Sequence, residues 1–229
     1  IGNEILTGKV EEANAAFLAK ELFSHSVSLR RVVIIPDDIE EISEVLPSLS
    51  KHYDIVFTSG GVGPTHDDVT MRGVARAFNR PLIRHSELDA ALKTMYGARY
   101  NSQVGAMAIV PEGLEIEGSR ELRFPVMHID NVYVLPGIPE LFRAKIRFLR
   151  PRLQGQPFTL ECIYLSLDES DIADILSTVA ENYPTVAIGS YPTYTHPQYR
   201  VKVTLESRDE RAVAVAAQAL RAALSPTSI

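Results

Sequence analysis

Asp54-Ile55-Val56-Phe57-Thr58-Ser59-Gly60-Gly61-Val62-Gly63-Pro64-Thr65-His66-Asp67-Asp68 is the stretch on which the fold turns. It opens with the apolar, β-branched and aromatic run of a short strand, which passes directly into a glycine-rich loop. Helix resumes at Val69 and continues through Arg72, Ala75, Arg76 and Phe78 as far as Asn79-Arg80-Pro81. A strand that enters a helix through such a loop is half of a βαβ unit, the element from which helix-covered parallel sheets are built.

Working outward, the same alternation extends in both directions. Ala13 to Phe23 carries an apolar side at Ala13, Phe17, Leu18 and Leu22, and Arg31-Val32-Val33-Ile34-Ile35 reads as a buried strand ended by Pro36-Asp37-Asp38. Ile42, Val45, Leu46 and Leu49 then give helical spacing, with Pro47 expected to shorten or kink that helix. Beyond the central loop, Glu87 to Tyr96 is helical and Tyr100 to Arg123 is expected to be irregular surface. Asn131-Val132-Tyr133-Val134-Leu135 restores a strand, which ends at Pro136-Gly137-Ile138-Pro139-Glu140 before an apolar-basic helix reaching Leu149. The expectation for residues 1–152 is an α/β domain whose sheet is mostly parallel. Pro151 to Pro157 reads as a boundary. Residues 157–229 then follow a βαββα order, a small α+β domain with a final alanine-rich helix from Asp209 to Leu224.

The chain has 229 residues, 45% hydrophobic and 23% charged, the balance of a globular protein. Its net charge of −6 lacks the electrostatic attraction that non-specific nucleic-acid binding requires, so no nucleic-acid partner is expected. The single Cys162 excludes an intrachain disulfide and a cysteine-rich zinc site, and in an alternating strand it reads as a small core residue. Neither a membrane-length apolar run nor a leader-like segment is present, so a cytoplasmic location is the expectation.

Gly60, Gly61 and Gly63 allow the backbone to come close to a ligand and to turn amide N–H groups toward a helix start, where anions are stabilised. That makes a phosphate cradle, distinct from a P-loop, which needs a following Gly-Lys-Ser/Thr, and from dinucleotide Gly-x-Gly-x-x-Gly spacing. The competing reading is a tight turn between strand and helix in which Asp67 or Asp68 caps the helix. Adjacent carboxylates beside a phosphate repel it unless a hard cation intervenes, so Asp67-Asp68 suggests a divalent metal, with one capping and one solvated aspartate as the alternative. His66 could stabilise charge or bind metal, although most lone histidines do neither. Ligands of open α/β sheets sit beyond the carboxyl ends of strands, which brings in Gly2-Asn3-Glu4-Ile5-Leu6-Thr7-Gly8 and Pro136-Gly137-Ile138-Pro139-Glu140. Taken singly, these two segments also read as a turn and a proline-led helix start.

These residues carry a resemblance. Gly2 to Gly8, Asn14, Thr58 to Thr70 and Leu135 to Glu140, in that order, resemble the molybdopterin-binding-domain family, in the branch that includes the N-terminal domains of CinA and of eukaryotic FAD synthase. The resemblance covers about the first 150 residues; Gly189-Ser190-Tyr191-Pro192 and Tyr199 to Val203 resemble the smaller unit that follows in that branch. It implies a three-layer α/β/α fold whose glycine loop holds a pterin phosphate, with Asp68 at the position that assists adenylyl transfer. In the CinA-like branch it implies divalent-metal-dependent cleavage of a pyrophosphate in ADP-ribose or FAD. Arg123-Phe124-Pro125 and Asn131-Val132-Tyr133 are closer to FAD synthase. The family also implies a strand just before Gly2-Asn3-Glu4, expected here to be missing or only partial, and a homo-oligomer. No segment resembles the amidohydrolase domain of CinA or the adenylyltransferase domain of FAD synthase.

The leading expectation is a nucleotide pyrophosphatase using Mg, Mn or Co. Ser59, Gly60, Gly61, Gly63 and Thr65, with Gly2, Asn3, Pro136, Gly137 and Pro139, would hold the phosphate or nucleotide. Asp68, Asp67 and His66 would be catalytic, and Glu4 and Glu140 would join the two aspartates around the metal. The alternatives are molybdopterin binding with adenylyl transfer and a non-catalytic nucleotide-sensing module.

Overall fold

The computed structural model describes residues 1–119 and 121–224, in two units, Ile1–Gln154 and Gly155–Ile229. In the first, α1 (Asn3–Leu6), α2 (Asn14–Ser24) and α3 (Ile39–His52) precede β1 (Val56–Ser59), the strand that feeds the glycine loop. There follow α4 (Thr70–Ala77), β2 (Leu82–Arg84), α5 (Ser86–Tyr96), α6 (Ser102–Ala106), β3 (Ile109–Pro111), β4 (Glu115–Glu117), β5 (Val126–Ile129), β6 (Val132–Leu135) and α7 (Pro139–Leu149).

The main sheet has the order β1-β6-β5-β4. β1 and β6 are parallel, in a register running from Val56 opposite Val132 to Ser59 opposite Leu135. That register brings the ends of two predicted strands, and hence the two loops beyond them, side by side. Successive residues of a strand point to opposite faces, and the cores follow that alternation. Val56, Val132, Val134, Met127 and Ile129 pack with Ile42 and Leu46 of α3, Val74 of α4 and Leu88 and Leu92 of α5. Leu135, Val126, Phe57 and Tyr133 pack instead with Leu18 and Leu22 of α2 and Phe142, Ile146 and Leu149 of α7. The result is the three-layer α/β/α arrangement. Its parallel part is the β1–β6 pair; β5–β6 and β4–β5 are antiparallel.

Three local expectations are corrected. Arg31 to Ile35 belongs to no strand ladder, and Val32, Val33 and Ile34 are exposed. Ile1 and Gly2 lie between this segment and β1, the Ile1 amino nitrogen donating to Ser59 O at 2.9 Å and Gly2 N to Ile35 O at 3.1 Å, in the place where the family implies a strand before Gly2-Asn3-Glu4. The stretch from Tyr100 to Arg123 is not irregular throughout, since α6, β3 and β4 lie within it. Finally, α3 continues through Pro47 to His52, so the proline does not shorten it. Burial of Ile42 and Leu46 holds it, at about 1.5–3 kcal/mol each, with Asp38 accepting from Glu41 N at 3.0 Å as its cap.

The second unit contains β7 (Thr159–Leu165), α8 (Glu169–Asn182), β8 (Ala187–Pro192), β9 (Val201–Ser207) and α9 (Glu210–Leu224). Its antiparallel sheet has the order β7-β9-β8. Ile163, Val201, Val203 and Leu205 pack beneath Ile172 and Val179 of α8 and Val213, Ala216, Ala217 and Leu220 of α9. The alanines let α9 lie close to the sheet. Residues 225–229, within the range read as the second domain, lie outside the described residues.

Candidate functional site

β1 delivers Ser59 and Gly60 to the edge of the sheet, where Gly60 N donates to Leu135 O at 3.1 Å. Gly60 has φ +105, and a Cβ there would collide with the carbonyl oxygen of Ile1. Gly61 has φ +64, and a Cβ there would collide with the Thr70 hydroxyl. Both positions therefore require glycine for conformation and for space. Thr70, fully buried at the start of α4, closes the loop by donating from Oγ1 to Gly60 O at 2.9 Å and from N to Gly61 O at 3.0 Å. The amides of Gly61, Val62 and Gly63 are left with no acceptor among the described residues. Consecutive free N–H groups in a glycine loop form a concavity suited to an anion.

The acidic end of the loop is asymmetric. Asp68 Oδ2 accepts from Thr65 N at 2.8 Å and Thr65 Oγ1 at 2.5 Å, which folds Pro64 to Asp67 into a tight turn. Asp68 is half-buried and keeps Oδ1 free of these bonds; Asp67 and His66 are exposed. Asp67, exposed to solvent, is an anion at neutral pH as a solvated carboxylate is.

The other predicted site segments meet this loop unequally. Gly137 comes up against Gly60, leaving a Cβ on Gly137 only 3.3 Å from the Gly60 Cα, and Ser59 Oγ donates to Pro136 O at 3.4 Å. Pro139 opens α7 and Glu140 sits exposed in its first turn, where a carboxylate favours the helix dipole. Gly2 is buried beside Ile1, Asn3 N donates to Asp37 Oδ2 at 2.8 Å, and Glu4 is exposed on α1. Among the described residues no three or more His, Cys, Asp or Glu side chains converge as a metal cage. The quartet Asp67, Asp68, Glu4 and Glu140 is thus not assembled as one set of ligands.

One residue outside the predicted site joins its two loops. Asn14 carried no chemical reading, yet its side chain joins the two loops: Nδ2 donates to Ser59 Oγ at 2.9 Å and to Gly137 O at 2.8 Å.

Comparison with known proteins matches this architecture. Residues 1–155 fit a family model described as a probable molybdopterin binding domain, and residues 157–229 fit one described as the FAD synthase middle domain. A protein of Archaeoglobus fulgidus is 36% identical over 213 residues, covering 93% of this chain and 90% of its own length. A probable FAD synthase of Caenorhabditis elegans is 34% identical over 254 residues, covering 98% of this chain; the chain spans 49% of the worm protein. The crystal structure of CinA from Thermoplasma acidophilum, described as of unknown function, superposes with a TM-score of 0.61 at 30% identity, covering 67% of this chain and 95% of CinA. With its glycine loop, three-layer fold and matched residues in agreement, the chain belongs to the molybdopterin-binding-domain family.

Proposed function

We propose that the first unit binds the phosphates of a nucleotide and hydrolyses its pyrophosphate bond, with FAD or ADP-ribose as the substrate class and AMP as a product. The observation that carries this reading is the pairing of free amides at Gly61, Val62 and Gly63 with an anionic, exposed Asp67 on the same loop. Amides with no acceptor of their own can donate to phosphate oxygens as negative charge grows on them. Asp67 holds and orients the attacking water, while Asp68, tied to Thr65, fixes the turn that presents Asp67 and offers only Oδ1 to a ligand.

The donor set suits a hard divalent cation. Mg²⁺ is usually held by one or two carboxylates, with substrate phosphates and waters completing its shell. Asp67 and Asp68 Oδ1 meet that requirement without Glu4 or Glu140. When bound, such an ion neutralises phosphate charge and polarises the phosphorus–oxygen bond.

A second reading, adenylyl transfer, replaces water with a phosphate or hydroxyl acceptor at the same loop. It is favoured by the match of residues 1–155 to a probable molybdopterin binding domain. One assay separates the two. Purified protein is given FAD or ADP-ribose with Mg²⁺, Mn²⁺ or Co²⁺, and separately ATP with molybdopterin, and products are resolved by chromatography. AMP release from the dinucleotides supports hydrolysis, adenylylated pterin from ATP supports transfer, and neither product from folded protein refutes both.

A further inference from the structure

The sheet of the second unit has one covered face and one open one. Both α8 and α9 pack on the side that carries Ile163, Val201, Val203 and Leu205. Successive residues of a strand point to opposite faces, so Tyr164, Lys202 and Tyr191 share the other side. The register sets them in one row, Tyr164 of β7 opposite Lys202 of β9 and Lys202 opposite Tyr191 of β8. Tyr164 is 56% exposed and Tyr191 57%, so a ligand reaches both from solvent.

Both rings are held in place. Tyr164 packs on Tyr199 with ring centroids 4.8 Å apart, and Tyr199 on His196 at 3.9 Å. The Tyr191 side chain leans back along its strand over Gly189, where a Cβ would stand 2.9 Å from its ring. Gly189 has no positive φ, so this glycine, which weakens a strand, serves the ring above it and not the backbone. Strands lie about 4.8 Å apart, which separates the two tyrosines by about 10 Å. A third ring between them would meet each at about 5 Å, within the range of aromatic pairs. Lys202 lies in that gap, half-buried, with no carboxylate paired to it among the described residues. Its apolar stem can floor the gap while the ammonium reaches water. One uncompensated cation suits one phosphate; a nucleic-acid strand needs a run of cations, and Glu206 follows on the same face of β9.

We propose that this open face is a second ligand site, which holds an electron-poor fused heteroaromatic ring between Tyr164 and Tyr191 and its phosphate on Lys202. That is the chemistry shared by phosphorylated flavins and pterins. Phenol rings carry a negative face, which favours an electron-poor partner. The site uses residues of the second unit alone and stands independently of the pyrophosphatase reading.

The test is calorimetric titration of the whole chain with FMN, riboflavin, neopterin monophosphate and AMP, with flavin fluorescence as a second readout. It is repeated on Tyr164→Ala, Tyr191→Ala, Tyr191→Phe and Lys202→Met. Stacking should quench FMN fluorescence, and either alanine variant should weaken the phosphorylated ring compound about ten-fold or more. Tyr191→Phe, which keeps the ring, should stay within about three-fold of wild type. Lys202→Met should reduce the affinity for FMN to that for riboflavin. Tighter binding of FMN names a flavin site, and tighter binding of neopterin monophosphate a pterin site. Affinities unchanged in folded Tyr164→Ala and Tyr191→Ala overturn the proposal, because any binding then belongs to the glycine loop. Displacement of FMN by equimolar AMP overturns the choice of ring, and no binding of FMN or neopterin monophosphate overturns the site. Self-association lost in Tyr191→Ala, seen by sedimentation in place of ligand binding, overturns it in favour of an interface between copies of the chain.

Discussion

At the scale of single residues, the glycine loop answers to two demands. Gly60 and Gly61 are fixed by packing against Ile1 and Thr70 as firmly as by any ligand, so the tight-turn and phosphate-cradle readings of the sequence are compatible. Gly60→Ala should lower unfolding free energy by about 2 kcal/mol or more, read as a fall in denaturant midpoint at constant slope. Asp67 is exposed, so Asp67→Asn should change stability by no more than about 0.5 kcal/mol. The same change should cut AMP release by about 100-fold if the carboxylate orients water beside the reacting phosphate. Because Asp67 is a solvated carboxylate, its ionisation should not limit activity as pH falls from 7 toward 5, which a pH–rate profile would check. The acidic pair was legible as a pair. Its asymmetry was not, because it depends on Thr65 reaching back to Asp68 rather than on composition.

At the scale of elements, α7 and α5 each carry a buried charge; the basic run Arg143 to Arg152 reads from the sequence as a solvated helix face, and Lys145 within it corrects that reading. Lys145 of α7 is 1% exposed; Nζ donates to Phe124 O at 2.5 Å and to Pro125 O, and lies 4.8 Å from the Phe124 ring centroid. Burial pushes the ammonium down to about 7, and the two carbonyls oppose that shift. A folded-state value below the unfolded one means the unfolded chain binds more protons between about pH 7 and 10.5. Stability therefore rises with pH across that window. Relative to Lys145→Met, wild type should gain about 1–3 kcal/mol from pH 7 to 10 in chemical denaturation. Asp89 of α5 behaves oppositely. It accepts from Lys93 at 2.6 Å, Tyr100 at 2.6 Å and Arg84 at 2.8 Å. Hydrogen bonds from Lys93 and then Tyr100 hold its carboxyl down to about 2. Its stabilisation is complete above about pH 4 and is lost as pH falls toward 2. Asp89→Asn should remove that part of the acid-unfolding transition. Helices with a periodic apolar face, α2, α3 and α5, were legible. The β5–β6 hairpin was hidden because its Asp130-Asn131 turn, with Asp130 at φ +50, lacks the glycine that usually marks one. Arg31 to Ile35 has strand composition, but a ladder also needs a neighbour at pairing distance.

At the scale of the whole molecule, each unit has its own core, and the candidate site belongs entirely to the first. A fragment of residues 1–154 should therefore fold cooperatively and bind AMP within about three-fold of the full chain, measured by thermal melting and calorimetry. The α/β order and the three strand-end segments could be read from sequence because each is local. The meeting of the Ser59 and Gly137 loops follows from the parallel strands the sequence implies, as the β1–β6 register has it; the Asn14 bridge between them could not be read, since it depends on how α2 sits against both loops. The most direct test of the central claim is AMP release from FAD and ADP-ribose with Mg²⁺, Mn²⁺ or Co²⁺, comparing wild type with Asp67→Asn of equal thermal stability. The account expects metal-dependent AMP from wild type, abolished by chelator and reduced about 100-fold in the variant. Full activity in folded Asp67→Asn, or no AMP from folded wild type with any of the three metals, would contradict it.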